Sequence, residues 1–416
     1  MKKRSADPSG KSLYITNLGL MDNLAGTQVL PYLEGLAVSG EKIKVLSYEK
    51  KNKLTDKAGV VAMRARLMAR GIEWTHLAYH NRWGNLIDLA AGIVHTFSIC
   101  VRENISLLHA RASIPVLIAW PVSRILGINL IYDRRGTMAG DFVDDVNVKN
   151  VFSIRWMTAL LDALDRFLMR HSDGVIVLSE RAEKALLEGP LKGRLKTAVS
   201  AIPCCVNVAR YERALERPEG RFAEGFTLCY VGSLGTCYLL DEMIDFFTAL
   251  RARVPGAFFL LMSNTDRAHV NEAFLKKGYS EPGDYKVLNL APEDVPGHIA
   301  GCDASVMFIK PVECKVGSSP TKFGESLCAG IPVVINSGIG DTEAIVRAKG
   351  VGVIVNGFTA ADYAKAVSGL LTMVKKDTGL GQRCRETACG HFSLRMGIDR
   401  YALIYSAVKG RAPTKC

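Results

Sequence analysis

Metal-spaced cysteine pairs are missing from this 416-residue chain. Its eleven cysteines include no Cys-x-x-Cys, which argues against a zinc site. Cys204 and Cys205 are adjacent, while Cys100, Cys229 and Cys328 sit in apolar runs, where a free thiol behaves as a small hydrophobe. An odd count in a long chain points to reduced thiols and a cytoplasmic protein. The basic start MKKRSADPSGK is followed by no apolar stretch of the kind a secretory leader needs. Low-complexity tracts are absent, and a composition of 48% hydrophobic and 23% charged residues excludes general disorder. Long hydrophobic runs are scarce. The longest apolar region, Leu107 to Tyr132, is broken by His109, Arg111, Pro115, Pro121 and Arg124. It reads as soluble strand, helix and strand, so any membrane contact is expected to be peripheral. No nucleic-acid motif or aromatic-interleaved basic stretch accompanies the net charge of +12, so nucleic acid is not an expected partner. The charge suits an anionic membrane face, anionic substrates, or simply a solvated basic surface. After the first predicted strand, Leu18-Gly19-Leu20-Met21-Asp22-Asn23 contains no G-x-G-x-x-G, which argues against a nicotinamide-dependent dehydrogenase.

What is present is a repeated alternation of strands and helices. Segments 12–18, 43–47, 105–109, 128–132 and 174–178 predict strands, with helices over 29–37, 113–126 and 151–171. The pattern restarts with strands at 226–231, 257–262, 286–289, 304–309, 332–335 and 351–355 and a helix at 239–252. Continuous apolar strands alternating with helices imply parallel sheets covered on both faces. At this length two domains are expected. The reading is therefore an α/β protein of two doubly wound Rossmann-like domains, 12–206 and 225–389, joined by a polar linker at 207–224. Ligand is expected in the crevice between them, outside the carboxyl ends of the strands.

The densest chemistry lies in 303–336. A predicted strand is followed by Ser318-Ser319-Pro320-Thr321-Lys322, with Pro320 suited to a helix start. Free N–H groups, the helix dipole, three hydroxyls and an ammonium together suit a diphosphate. Glu325, three residues after Lys322, shares its helix face and is placed to accept ribose hydroxyls. The same residues also suit a plain N-cap, a solvated lysine and an i,i+3 ion pair. Earlier, Gly232-Ser233-Leu234-Gly235 ends a predicted strand, where glycines let the backbone approach a phosphate or simply make a turn.

The run TKFGESLCAGIPVVIN resembles the donor-site motif of glycosyltransferase family 4 and its GT-B relatives, with Glu325 in the position of the ribose-binding glutamate. CYVGSLGTCYLLDEMIDFF is similar to the family's Gly-rich phosphate loop and following helix, at Gly232 to Gly235. In the first half, Gly26-Thr27-Gln28 resembles the acceptor-side loop. His109 and Arg111, with Asp133-Arg134-Arg135-Gly136, end two strands where the family binds acceptor. His391 to Tyr405 resembles the final helix, expected over 390–408, that crosses back to the first domain. The resemblance spans about 15–408. It implies two domains facing across a cleft, retention of anomeric configuration, and a UDP- or GDP-sugar as substrate rather than a cofactor. The basic net charge in turn fits a glycan or polyprenyl-phosphate-linked acceptor at the inner membrane face. No Asp-x-Asp stands at the expected donor site, so no metal is expected.

Two departures stand out. The family's first glutamate would fall at Gly317, with Glu313 off register, and the stretch Gly235 to Asp241 carries none of the usual loop cations. Lys322, Arg111, Arg134 or Arg135 would then neutralise the diphosphate. Lys322 and Glu325 are the expected catalytic groups on the donor side and His109 on the acceptor side. A nucleotide-sugar 2-epimerase of the same fold, and an inactive scaffold that binds glycan or membrane, are the alternatives.

Overall fold

Strands that are apolar on both faces need helices above and below them, and the chain supplies these in turn. The computed structural model describes residues 10–79, 85–140, 151–189, 191–195, 198–215, 224–235, 237–312 and 315–410. Thr236, Glu313 and residues 216–223 of the expected linker lie outside them. There are two units. The first combines the chain up to Pro203 with the segment from Leu394, and the second runs from Cys204 to Ser393.

The first unit is built on seven parallel strands: β1 (Lys11–Thr16), β2 (Ile43–Lys50), β3 (Glu73–Tyr79), β4 (Ile105–Arg111), β5 (Asn129–Asp133), β6 (Gly174–Val177) and β7 (Ala198–Ala201). Their order is β3-β2-β1-β4-β5-β6-β7. The register puts Thr16 opposite Arg111, and Arg111 opposite Asp133, in one row at the carboxyl edge. The core between this sheet and its helices includes Leu13, Ile15, Leu108, Val116, Leu130 and Tyr132.

The second unit repeats the plan with β8 (Thr227–Val231), β9 (Phe258–Met262), β10 (Tyr285–Leu288), β11 (Ala304–Met307), β12 (Val333–Asn336) and β13 (Gly352–Val355). The order is β10-β9-β8-β11-β12-β13, again parallel. In each sheet the strand order reverses once, at β1/β4 and at β8/β11. A crevice for ligand opens at such a point, beyond the carboxyl ends of the two strands.

Several expectations are corrected. The helix expected over 29–37 is found as Leu30–Val38, with Pro31 in its first turn, and an unexpected short helix, Asn23–Gln28, precedes it across a break at Val29. The supposed linker begins with the helix Val208–Leu215, whose Tyr211 is buried in the second unit. Its Val208, Tyr211 and Leu215 share one face, so this charged stretch is an amphipathic surface helix. The final helix expected over 390–408 starts later, as Leu394–Lys409, because residues 390–392 end the preceding helix Leu380–Phe392 and extended Ser393 separates the two.

Candidate functional site

The switch point of the second sheet gathers the residues singled out in that half. β8 is buried throughout and is followed by Gly232, whose φ of +105° favours glycine. A methyl group built on Gly232 would lie 2.6 Å from Cε of Lys322. The backbone therefore passes against the lysine stem only because this residue has no side chain. The loop is held from behind: Tyr230 Oη donates to the Ser233 carbonyl (2.9 Å), and the Leu234 N–H donates to Thr265 Oγ1 (2.7 Å). Leu234 also packs on the core. Ser233 and Gly235 are the exposed residues of the loop, while the Leu234 amide is already engaged.

The neighbouring loop leaves β11 and is stitched to the first. The Lys310 N–H donates to the Cys237 carbonyl, and the Leu239 N–H to that of Phe308. Asn336, buried at the end of β12, clamps Ile309 by accepting from its N–H and donating to its carbonyl, both at 2.8 Å. Ser319 Oγ accepts the Cys204 N–H at 3.1 Å. The structure thus gives Ser319, expected on a donor phosphate, a role in fastening the chain at Cys204. Ser318 and Thr321 are half-buried at the start of the helix Thr321–Cys328. Pro320 stands at its N-cap and offers no side-chain acceptor, so no side chain caps the helix start. The opposite face, Phe323 and Leu327, is buried.

Lys322 and Glu325 lie on the outer face of that first turn. The Lys322 ammonium sits 3.5 Å from the ring centroid of Tyr238 and 5.1 Å from that of Tyr230. Among the described residues it makes no ion pair. Burial lowers its pKa to about 7, and the attraction of Glu325 restores only part of the loss. Burial pushes the Glu325 carboxyl up, against the pull of Lys322 and Arg210 and a hydrogen bond from Tyr211. The loop after β8 has no cation of its own, and the structure brings Lys322 against it from the next loop. Tyr230 and Tyr238, whose ring faces hold the ammonium, and Tyr211, which hydrogen-bonds Glu325, escaped the sequence reading because such contacts leave no spacing pattern.

In the first unit the outcome differs. His109 is fully buried; its Nδ1 meets Tyr405 Oη at 2.7 Å and its Nε2 meets Asp133 Oδ2 at 3.2 Å. Tyr401 Oη and Arg135 also donate to Asp133 Oδ2, each at 2.9 Å. The expected catalytic His109 and acceptor-side Asp133 and Arg135 therefore form a buried network that holds the helix Leu394–Lys409. Burial lowers the His109 pKa despite Asp133. Burial raises that of Asp133, but Arg135, His109 and Arg111 outweigh it and hold the carboxyl well below the usual range. Arg134 pairs with buried Asp165 at 2.9 Å, directed at the helix Val151–Arg170. Arg111 donates to Gln28 Oε1 at 3.2 Å, so those two are brought together. Gly26 is exposed and Thr27 half-buried on the short helix Asn23–Gln28. Sequence reasoning missed Glu49, a buried carboxylate that accepts the N–H groups of Leu20 and Met21 and so fixes the loop after β1.

No family model matches the chain, and no curated protein matches it in sequence. Solved structures do match over nearly its whole length. Sucrose-phosphate synthase from Thermosynechococcus elongatus aligns with a TM-score of 0.67 at 14% identity, covering 95% of this chain and 98% of that one. Anabaena Alr3699/HepE in complex with UDP and glucose gives 0.66 at 13%, with 95% and 98% covered. A glycosyltransferase from Rickettsia africae ESF-5 gives 0.67 at 13%, with 97% and 99% covered. At such identities the likeness is one of fold: two Rossmann-like units, the GT-B architecture.

Proposed function

We propose that the protein is a glycosyltransferase of the family 4 type. It moves a sugar from a UDP- or GDP-sugar to a glycan or polyprenyl-phosphate-linked glycan in the cytoplasm, with retention and without metal. As a hexosyltransferase it serves polysaccharide or glycoconjugate synthesis. The observation that carries this reading is the Lys322 ammonium, held over two tyrosine rings between a Gly-rich loop and an uncapped helix start, one turn from Glu325. The same fold in HepE holds UDP and glucose, which supports a nucleotide-sugar donor here.

The hard step in sugar transfer is departure of the nucleoside diphosphate while positive charge grows on the sugar. Preorganised positive charge at the leaving group is the largest expected contribution. Lys322, the helix N–H groups and Ser318 supply it, with exposed Ser233 and Gly235 along the phosphates, and no step requires a metal. Glu325 takes the ribose hydroxyls, steadied by Tyr211. On the acceptor side the proposal keeps Gly26, Thr27, Gln28 and Arg111. His109, Asp133, Arg134 and Arg135 are withdrawn, because the first unit uses them for its own structure.

The test is thermal stabilisation by a panel of UDP-, GDP- and ADP-sugars, followed by mass spectrometry of products with lipid-linked acceptors. One nucleotide class should stabilise, and Lys322→Ala and Glu325→Ala should each weaken it. Stabilisation by none, or unchanged affinity in both variants, would remove the proposal.

A further inference from the structure

A surface of the first unit, unrelated to the site above, exposes apolar side chains where a soluble face should be polar. On the helix Asn85–Arg102, Leu86 is 77% exposed and Ile87 68%; Val94, Phe97 and Val101 follow on the same side. One face of that helix is buried on the core, with Ile99 and Cys100. The outward face is nearly as apolar, interrupted only by His95 and terminal Arg102. Its neighbour, the helix Ser113–Leu126, adds exposed Ile125. Beyond that, the helix Val151–Arg170 presents Trp156, 54% exposed, with Leu160 and Phe167 at helical spacing. The Trp120 and Phe167 rings meet at 5.2 Å, which joins the second and third helices into one surface. Apolar helices facing outward side by side are what a buried interface requires, and a protein in water avoids them.

We propose that this three-helix face is a membrane-docking surface, lying flat on a leaflet rich in anionic phospholipid. The charges on these helices select that occupant. Arg102 and Arg155 are exposed and Arg166 half-buried, while Asp88 and Asp165 are buried, leaving Asp162 as the acid nearest the surface. The chain as a whole carries +12. A tryptophan beside arginines and aliphatic side chains is the pattern of an interfacial contact, with apolar groups among acyl chains and cations at the headgroups. A two-fold contact with a second copy would press two net-positive faces together. Among the described residues no helix is long and apolar enough to cross a membrane, so the contact is one of lying on the surface. The inference does not depend on the sugar-transfer reading.

The test uses the full chain with vesicles of phosphatidylcholine alone or mixed with phosphatidylglycerol. Wild type should sediment with the anionic vesicles at low salt, weakly with the neutral ones, and show a blue shift in tryptophan emission. The triple change Ile87→Ser, Val94→Ser and Trp156→Ser, at exposed positions, should lower the partition coefficient about tenfold or more. Circular dichroism and thermal midpoint should stay unchanged. Arg102→Glu with Arg155→Glu should abolish the preference for anionic vesicles while leaving the apolar face intact. No sedimentation of wild type at low salt, or equal sedimentation of the triple variant, overturns the proposal. A stable dimer in solution that the triple change dissociates also overturns it and assigns the face to self-association.

Discussion

Lys322 should make donor binding depend on pH in a way that ordinary lysines cannot. Its ammonium lies against two rings and a glycine backbone, and desolvation brings its pKa to about 7. A diphosphate beside it adds negative charge to that of Glu325 and so raises that pKa in the complex. Binding then takes up a proton. Below pH 7 the lysine is already charged and affinity is flat. Above it, affinity falls about tenfold per pH unit, until the pKa of the complex is reached. Measured from the low-pH plateau, the loss by pH 9 is about a hundredfold, or about 2.7 kcal/mol. The ligand should be a nucleoside diphosphate-sugar, because its phosphates do not titrate in this range. Calorimetry at pH 8 in buffers of different ionisation enthalpy should report uptake of about 0.9 proton. Lys322→Met should bind weakly with a flat profile. A flat wild-type profile, or the same slope in Lys322→Met, would refute the linkage.

Further expectations concern single residues. Tyr238→Leu removes the nearest ring from the ammonium and should weaken donor binding by about 1 kcal/mol, measured by titration calorimetry. Gly232→Ala places a methyl group against Lys322 at a positive φ and should destabilise the second unit by about 1–3 kcal/mol, seen in denaturant unfolding. Asp133→Ala leaves His109, Arg135 and Tyr401 without their shared acceptor; a loss of about 3 kcal/mol in the first unit is expected, with donor affinity untouched. The same network sets acid stability. His109 has a lowered folded pKa, so stability falls as pH drops below its usual 6.5. Asp133 is also lowered, so its contribution is full above the usual 3.8 and fades below it. Unfolding midpoints followed from pH 7 to 3 should show both declines, and His109→Gln should remove the first.

Both sheets were legible where strands are buried on two faces, because those strands are continuous apolar runs. The two that escaped are edges. β3, with Glu73, Thr75 and His76, and β7, with Ser200, pair on one side only and are partly exposed, so no apolar run marks them. The donor-side residues Lys322 and Glu325 were legible because they share a helix turn. The rings around Lys322 come from β8 and from the strand-like segment after its loop, and only the fold unites them. His109 misled for the opposite reason. A polar residue at a strand end reads as a ligand group, and nothing nearby in sequence reveals that Tyr401 and Tyr405, almost three hundred residues on, will cover it.

The first unit is discontinuous in the chain, and this orders events during synthesis. Its closing helix delivers Tyr405 to His109, gives the Val408 carbonyl to Asn129 and places the Lys409 ammonium on the Gly10 carbonyl. A ribosome makes all seven strands of the first sheet well before that helix. The nascent first unit therefore waits with a strip of its sheet uncovered, while the second unit, whose residues are contiguous, can complete itself first.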